Sequence, residues 1–199
     1  MKKHMLDLYA GLGGMSEAFI RDSSWSVLRI DNNPMLSGVD NMVIMDVKHI
    51  DPHPSWTGER IEYIHASPPC DEFSNAYSSP RAIWMRENPG KEYLPNMEWL
   101  IEAIRIIELC KPRFWSIENV KGASKYFTPL LGKPKCVIGK FMFWGEFPLF
   151  ECDANKVKTK AQKDRRHHPF RKNLNGKIDF EISKQMKNAI ESQTSIFNF

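Results

Sequence analysis

The chain has 199 residues, 42% hydrophobic, 12% aromatic and 26% charged, with a formal net charge of +4. This balance excludes the disordered, fibrous and collagen-like classes, and the length is enough for one domain to bury a core without disulfide or metal staples. No stretch reaches the ~20 apolar residues that a membrane-spanning helix needs, and the basic start runs directly into a strand-like segment, so a cytoplasmic protein with no membrane partner is expected.

Residues 4–9 read as a short buried strand, which Ala10-Gly11-Leu12-Gly13-Gly14 breaks before a helical stretch over 15–21. A second strand, 26–30, ends at Asp31-Asn32, and a third, 42–45, ends at Asp46. The fourth, 61–65, runs into Ala66-Ser67-Pro68-Pro69-Cys70. A polar, proline-punctuated stretch over 71–95 follows. Helical spacing of apolar residues then predicts a helix over 96–110 behind an Asn96 cap. Residues 114–117 form a fifth strand that delivers Glu118, residues 140–144 form another, and 176–192 reads as a closing amphipathic helix. Strands alternating with helices predict an α/β fold with a mostly parallel sheet covered by helices on both faces, in a single domain spanning 1–199. In such folds ligands sit beyond the carboxyl ends of the strands, and the polar residues of interest lie at those ends.

A glycine turn between a first strand and first helix lets backbone approach a ligand, and an acid ending the second strand can take two ribose hydroxyls. Gly11, Gly13, Gly14 and Asp31 supply both, although the run is not the G-x-G-x-x-G fingerprint and by itself fits a structural turn equally well. Pro68-Pro69 stiffens the chain before Cys70, and the polar neighbours Asp71, Glu72, Ser74 and Asn75 argue against deep burial, so Cys70 reads as a nucleophile. Cys110, in an apolar helix, reads as a small core residue. Cys136 and Cys152 have no chemistry beside them, and the spacing of the four cysteines suggests neither a metal site nor a disulfide. Glu118 alone fits a cap or an ion-pair partner. At the same sheet edge as a thiol, and buried, it becomes a proton donor.

Asp7-Leu8-Tyr9-Ala10-Gly11-Leu12-Gly13-Gly14, Ser67-Pro68-Pro69-Cys70-Asp71-Glu72-Phe73-Ser74 and Ile117-Glu118-Asn119-Val120 resemble, in order and spacing, three signature motifs of the cytosine carbon-5 DNA methyltransferases. The resemblance covers residues 1 to 148 and is nearest to short members of the phage and prokaryotic type. It implies the S-adenosylmethionine-dependent, Rossmann-like methyltransferase fold with one reversed strand, and S-adenosylhomocysteine as product. It makes Cys70 the thiolate that adds to carbon 6 of cytosine, Glu118 the group that holds the ring, and Asn119 the residue that keeps the loop in position. Asp7, Tyr9, Ala10, Gly11, Gly13, Gly14, Asp31, Asn32, Asp46 and Pro68 would shape or contact the cofactor pocket. DNA is the implied partner, with the target base flipped out of the duplex. Ser74, Arg81, Lys91, Lys140, Arg165 and Arg166 are the candidate nucleic-acid contacts, and 71–95 resembles the mobile loop that closes over the base.

Three features depart from the family pattern. Asp71-Glu72 replaces the usual glutamine and small residue, and acids there would repel a phosphodiester. The motif of glutamine and alternating arginines is missing, with Lys133, Lys135 and Lys140 the cations nearby. The chain after Phe147 is too short for a full recognition domain, which leaves a basic run over 156–172, drawn as a loop over 155–175, to supply phosphate affinity with little base readout. A homodimer or a recognition partner could complete the surface. Two other functions stay open: a tRNA cytosine-5 methyltransferase, and an inactive nucleic-acid-binding relative.

Overall fold

The computed structural model describes residues 2–51, 60–152, 157 and 168–196, with side chains to 193. Its centre is a seven-stranded sheet in the order β3-β2-β1-β4-β5-β7-β6. The strands are β1 (Lys3–Leu8), β2 (Trp25–Asp31), β3 (Met42–Ile44), β4 (Ile61–Ala66), β5 (Phe114–Val120), β6 (Cys136–Ile138) and β7 (Phe141–Glu146). All neighbours from β3 to β5 pair in parallel, whereas β7 runs antiparallel to both β5 and β6. The sheet therefore has one reversed strand, as the resemblance implies.

Strands covered on both faces are buried at successive positions, and β1, β4 and β5 are so buried at their C-terminal halves, with Asp7, His65, Ser116, Glu118 and Asn119 set among the apolar residues. Leu6, Leu8, Ile64, Ala66 and Ile117 face a cluster that includes Leu100, Ala103, Ile106 and Phe127. These last belong to α3 (Glu98–Cys110) and α4 (Ser124–Leu131). Met5, Tyr63 and Phe143 face the other side, against Phe19 of α1 (Glu17–Ile20) and Ile182, Met186 and Ile190 of α6 (Phe180–Ile196). Helices thus cover both faces, as predicted. Ser183 of α6 locks the pair by accepting from the Ala18 N–H at 2.9 Å and donating to the Met15 carbonyl.

Several boundaries differ from those the sequence predicts. Asn96 does accept a helix-start amide, that of Glu98 at 2.8 Å, but α3 begins at Glu98. The stretch 71–95 contains a helix, α2 (Pro80–Glu87), which Ser79 caps by accepting from the Ala82 N–H at 3.2 Å, with Pro80 in its first turn. The basic segment is not all loop, because Arg171–Gly176 is helical (α5), and the closing helix starts at Phe180. Strand β6 and helix α4 were also not anticipated; each is short, and Pro129 interrupts the helical pattern of α4. No described helix is long and apolar enough to cross a membrane.

Candidate active site

Five parallel strands bring their carboxyl ends to one edge, and the sequence motifs follow directly from those ends. Tyr9, just after β1, adopts a left-handed backbone (φ 55) and ties back through its hydroxyl to the Trp99 carbonyl at 2.9 Å. The Ala10 N–H donates to the Ile30 carbonyl at 3.0 Å, and the Ala10 carbonyl accepts from Gly13 N–H at 2.7 Å. Gly13 itself has φ 65, and a Cβ there would sit 2.4 Å from the Arg29 guanidinium, so only glycine fits. Asp7, 1% exposed, accepts from Ser16 Oγ at 2.5 Å, and burial raises its pKa to about 7 against the pull of Ser16 and Arg29.

Asp31 at the end of β2 uses each carboxylate oxygen once: Oδ2 accepts from Gly11 N–H at 2.9 Å and Oδ1 from Asn33 N–H at 3.0 Å. Asn32 between them is exposed. Asp46, after β3, caps a short turn by accepting from Lys48 N–H at 3.0 Å. Over the glycine turn lies α5, with Asn173 Nδ2 3.5 Å from the position a Cβ on Gly11 would take.

Cys70 is half-buried, and burial, then Glu118 and Asp71, push its thiol pKa up, against Lys140. Its carbonyl accepts from both Phe73 N–H (3.0 Å) and Ser74 N–H (2.9 Å), which makes a tight turn. Glu118 is 7% exposed; burial raises its pKa to about 7, opposed by a hydrogen bond from Ser67 and the charge of Lys140. Ser67 Oγ donates to Glu118 Oε2 at 3.0 Å. Asn119 bridges the two loops: its Nδ2 donates to the carbonyl of buried Pro68 at 2.9 Å, and its Oδ1 accepts from Val120 N–H at 2.9 Å. Glu118 and Lys140 thus both act on the protonation of the thiol, and Lys140 also acts on that of the carboxyl. Lys140, in the turn between β6 and β7, also donates to the Asn175 carbonyl of α5.

The remaining predicted contacts scatter around this edge. Ser74 is half-buried, with its hydroxyl accepting from Ala76 N–H at 3.1 Å. Arg81 contacts Asn75 Oδ1, and Lys91 is exposed after α2. Arg165 and Arg166 lie outside the described residues, as does most of the basic run. A cavity of about 380 Å3 lined by Ile107, Pro112, Trp115 and Leu131 opens at the opposite edge of the sheet, away from Cys70.

Both unexpected acids are engaged within the chain. Glu72 accepts from the Tyr93 hydroxyl at 2.6 Å and from Asn96 N–H at 3.2 Å, so it pins the far end of the 71–95 segment. Asp71 pairs with Lys172 at 3.2 Å. Sequence reasoning missed these pairings, and it missed Ser67, Gly122, where a Cβ would stand 2.0 Å from the Phe73 carbonyl oxygen, and the polar residues behind Glu118. For the last group a signal existed: Tyr63, His65 and Ser67 alternate along one strand, as do Ser116 and Glu118 along the next.

No curated protein matches this chain. Among solved structures it is similar to a protein described as a DNA modification methyltransferase encoded within a prophage (E. coli), at 16% identity and TM-score 0.48, over 73% of this chain and 47% of that one. It is also similar to the 16S rRNA methylase RmtB (12% identity, TM-score 0.41, 73% and 55%). A third likeness is to the N-terminal domain of human METTL16 in complex with SAH (13% identity, TM-score 0.44, 73% and 60%). The chain spans about half the length of the first of these. The family described as C-5 cytosine-specific DNA methylase matches residues 3–127, more than half of the chain and inclusive of Cys70, Glu118 and Asn119. The chain belongs to that family.

Proposed function

We propose that this protein is a DNA cytosine carbon-5 methyltransferase with short or relaxed sequence specificity, in which Cys70 is the nucleophile and Glu118 the acid that holds the ring. What carries this is one juxtaposition: a thiol and a protonatable buried carboxyl at the same sheet edge, their loops joined by the Asn119 to Pro68 hydrogen bond.

The residues beside them fit S-adenosylmethionine. Each oxygen of Asp31 has spent one acceptor site on backbone, which leaves capacity on both for a vicinal diol. Asn175 Oδ1 is buried with no partner among the described residues, a polar atom awaiting a ligand donor. Asp31 and the Gly11 turn would hold the nucleoside, with Asp46 nearer the base. When bound, the sulfonium supplies an electrophilic methyl group for carbon 5.

Carbon 5 of cytosine is a weak nucleophile until sulfur adds at carbon 6. As the Cys70 sulfur–carbon bond forms, the ring double-bond electrons move toward nitrogen 3. Protonated Glu118 gives nitrogen 3 its proton, leaving an enamine whose nucleophilic carbon is carbon 5. At the end, loss of the carbon-5 proton to a base restores the double bond and expels Cys70 as thiolate, and nitrogen 3 returns its proton to Glu118. The resting thiol pKa is raised, so Cys70 ionises efficiently only when a substrate and a cation balance the new charge. Lys140 stands where that cation is needed. Asn119 keeps the Cys70 and Glu118 loops in register. Tyr77, 80% exposed with Arg86 stacked on its ring at 4.0 Å, joins Arg81 and Lys91 as the face the 71–95 segment offers to nucleic acid.

The test is methyl transfer to cytosine in DNA, with tRNA in parallel, and covalent trapping on 5-fluorocytosine DNA. Wild type is expected to methylate DNA and form the adduct, and Cys70→Ser to do neither. Full activity in Cys70→Ser refutes the mechanism. Transfer to tRNA alone moves the substrate to RNA, and absence of any adduct makes the protein a binding relative.

A further inference from the structure

Behind Glu118 runs a file of polar side chains that the reaction as described does not use. Because β4 and β5 are parallel with His65 beside Ser116, their alternating residues share one face of the sheet. Tyr63 OH lies 2.6 Å from Ser116 Oγ, Ser116 Oγ lies 2.7 Å from His65 Nδ1, and His65 Nε2 lies 2.9 Å from Ser67 Oγ. Ser67 Oγ ends the file on Glu118 Oε2 at 3.0 Å. Tyr63, His65 and Ser116 are at most 1% exposed, in a region otherwise filled by apolar and aromatic side chains such as Phe19 and Phe143. Burying three polar groups there costs stability unless every one is satisfied, and each is.

We propose that Ser67 and His65, backed by Ser116 and Tyr63, are positioning residues that fix the orientation of Glu118 and decide which of its oxygens carries the proton. The assignment rests on the reading of Glu118 as the group that holds the base. The directions follow from elementary bookkeeping. Burial lowers the His65 pKa to about 3, so the ring is neutral, with one nitrogen donating and the other accepting. If Ser67 donates to Glu118, its oxygen is free to accept from His65 Nε2–H. His65 Nδ1 then accepts from Ser116, which in turn accepts from Tyr63. Every donor in the file points toward Glu118, and Tyr63, held un-ionised by burial, begins it. Oε2 is thereby occupied as an acceptor, and the proton is left on Oε1 for the substrate.

The charged and titratable groups facing the file are few. Lys140 from the β6–β7 turn acts on Glu118, and Glu118 in turn acts on Cys70 in the loop after β4. Asp7, paired with His65 in the β1–β4 register, and Cys136 act on Tyr63. Among the described residues Ser67 bonds to His65 on one side and Glu118 on the other, so a change at Ser67 reads on Glu118 directly.

The experiment combines a pH profile with carboxyl titration by carbon-13 NMR in the free protein. Ser67→Ala removes the donor to the ionised carboxylate, so the Glu118 titration and the alkaline limb of the rate should both move up by about one pH unit. The plateau kcat should fall about tenfold, with KM for the methyl donor unchanged. Ser67→Thr restores the hydroxyl and should restore both curves. Tyr63→Phe keeps the ring in its packing and should shift the titration in the same direction by less, which keeps the test alive if Ser67→Ala unfolds. A Glu118 titration unmoved by Ser67→Ala overturns the proposal whether or not the protein methylates. A titration that moves in a wild type without methyl transfer supports the file and overturns the enzymatic reading alone.

Discussion

Gly122 lies in the short turn Lys121–Ala123 that follows β5, and Gly122→Ala tests how the Cys70 loop is held. A Cβ on residue 122 would stand 2.0 Å from the Phe73 carbonyl oxygen, where real contacts do not come under 3.0 Å. The two backbones must therefore part by about 1 Å. Phe73 cannot absorb this by turning its side chain, because the obstacle is its carbonyl. Its ring is also buried against Tyr126 and Phe127, at 5.9 and 5.0 Å between centroids. The Phe73 N–H is bonded to the Cys70 carbonyl at 3.0 Å, so the displacement passes to the Cys70 turn, which holds the proposed nucleophile. A shift of about 1 Å in a reacting group costs on the order of 100-fold in rate. The overpacking itself costs ~1–3 kcal/mol of stability. Steady-state methyl transfer to DNA should show kcat down about 100-fold, with KM for the methyl donor within about threefold, since the residues proposed to hold the donor follow β1 and β2. Gly38→Ala, whose Cβ meets nothing within 4 Å, is the control and should behave as wild type. Wild-type kcat in a folded Gly122→Ala protein would show that the Phe73 contact does not hold the Cys70 loop.

Three further changes follow from the same geometry. Glu118 titrates near 7 folded and 4.5 unfolded, so the folded chain keeps a proton that the unfolded chain releases, and stability falls as pH rises across that window. Glu118→Gln removes this loss: relative to wild type it should gain about 3 kcal/mol between pH 4 and 8 in urea midpoints, while methyl transfer drops ~100-fold or more. An identical pH dependence in both proteins would contradict the burial argument. Asn119→Ala strands the Pro68 carbonyl and should cost ~2 kcal/mol, and Asn119→Asp, which has no donor to offer it, should not recover the loss. Glu72→Ala releases Tyr93 OH and Asn96 N–H and should speed proteolytic nicking within 71–97 while moving Tm by no more than about 2 °C; unaltered nicking would mean that Glu72 does not anchor that segment.

The parallel core was legible because β1, β4 and β5 are short segments rich in apolar and aromatic residues that end abruptly in glycine, proline or acid, and such segments have few other folds open to them. The edge elements were not: β6 is three residues long, and α2 has no buried face to generate a period, though Ser79-Pro80 was a readable start signal. At the site, Cys70, Glu118 and Asp31 announced themselves by residue type at strand ends. The hydroxyl and imidazole groups behind Glu118 stayed hidden because a polar residue inside a strand reads as solvent-facing until its neighbours are known. Gly122 stayed hidden for a related reason, since the contact that demands glycine comes from a residue far away in sequence.

Asp71 decides whether this chain's departure from the family pattern is costly. Its ion pair with Lys172 joins two exposed side chains, 54% and 85%, at 3.2 Å, and pairs of that kind contribute ~0–1 kcal/mol. Such a pair opens readily when a phosphate competes for the ammonium. Once it opens, Asp71 faces the same phosphate unpaired, and at about 4 Å in water the repulsion is on the order of 1 kcal/mol. On the proposed function the acid would weaken DNA binding in proportion to how closely the strand passes, and Lys172 has no other ion pair among the described residues. Asp71→Asn removes the repulsion and frees the ammonium together, so DNA should bind about fivefold more tightly at 50 mM salt. The gain should shrink as salt rises and screens the charge. Binding that is unchanged or weaker in Asp71→Asn would mean that the nucleic acid does not approach Cys70 across this face.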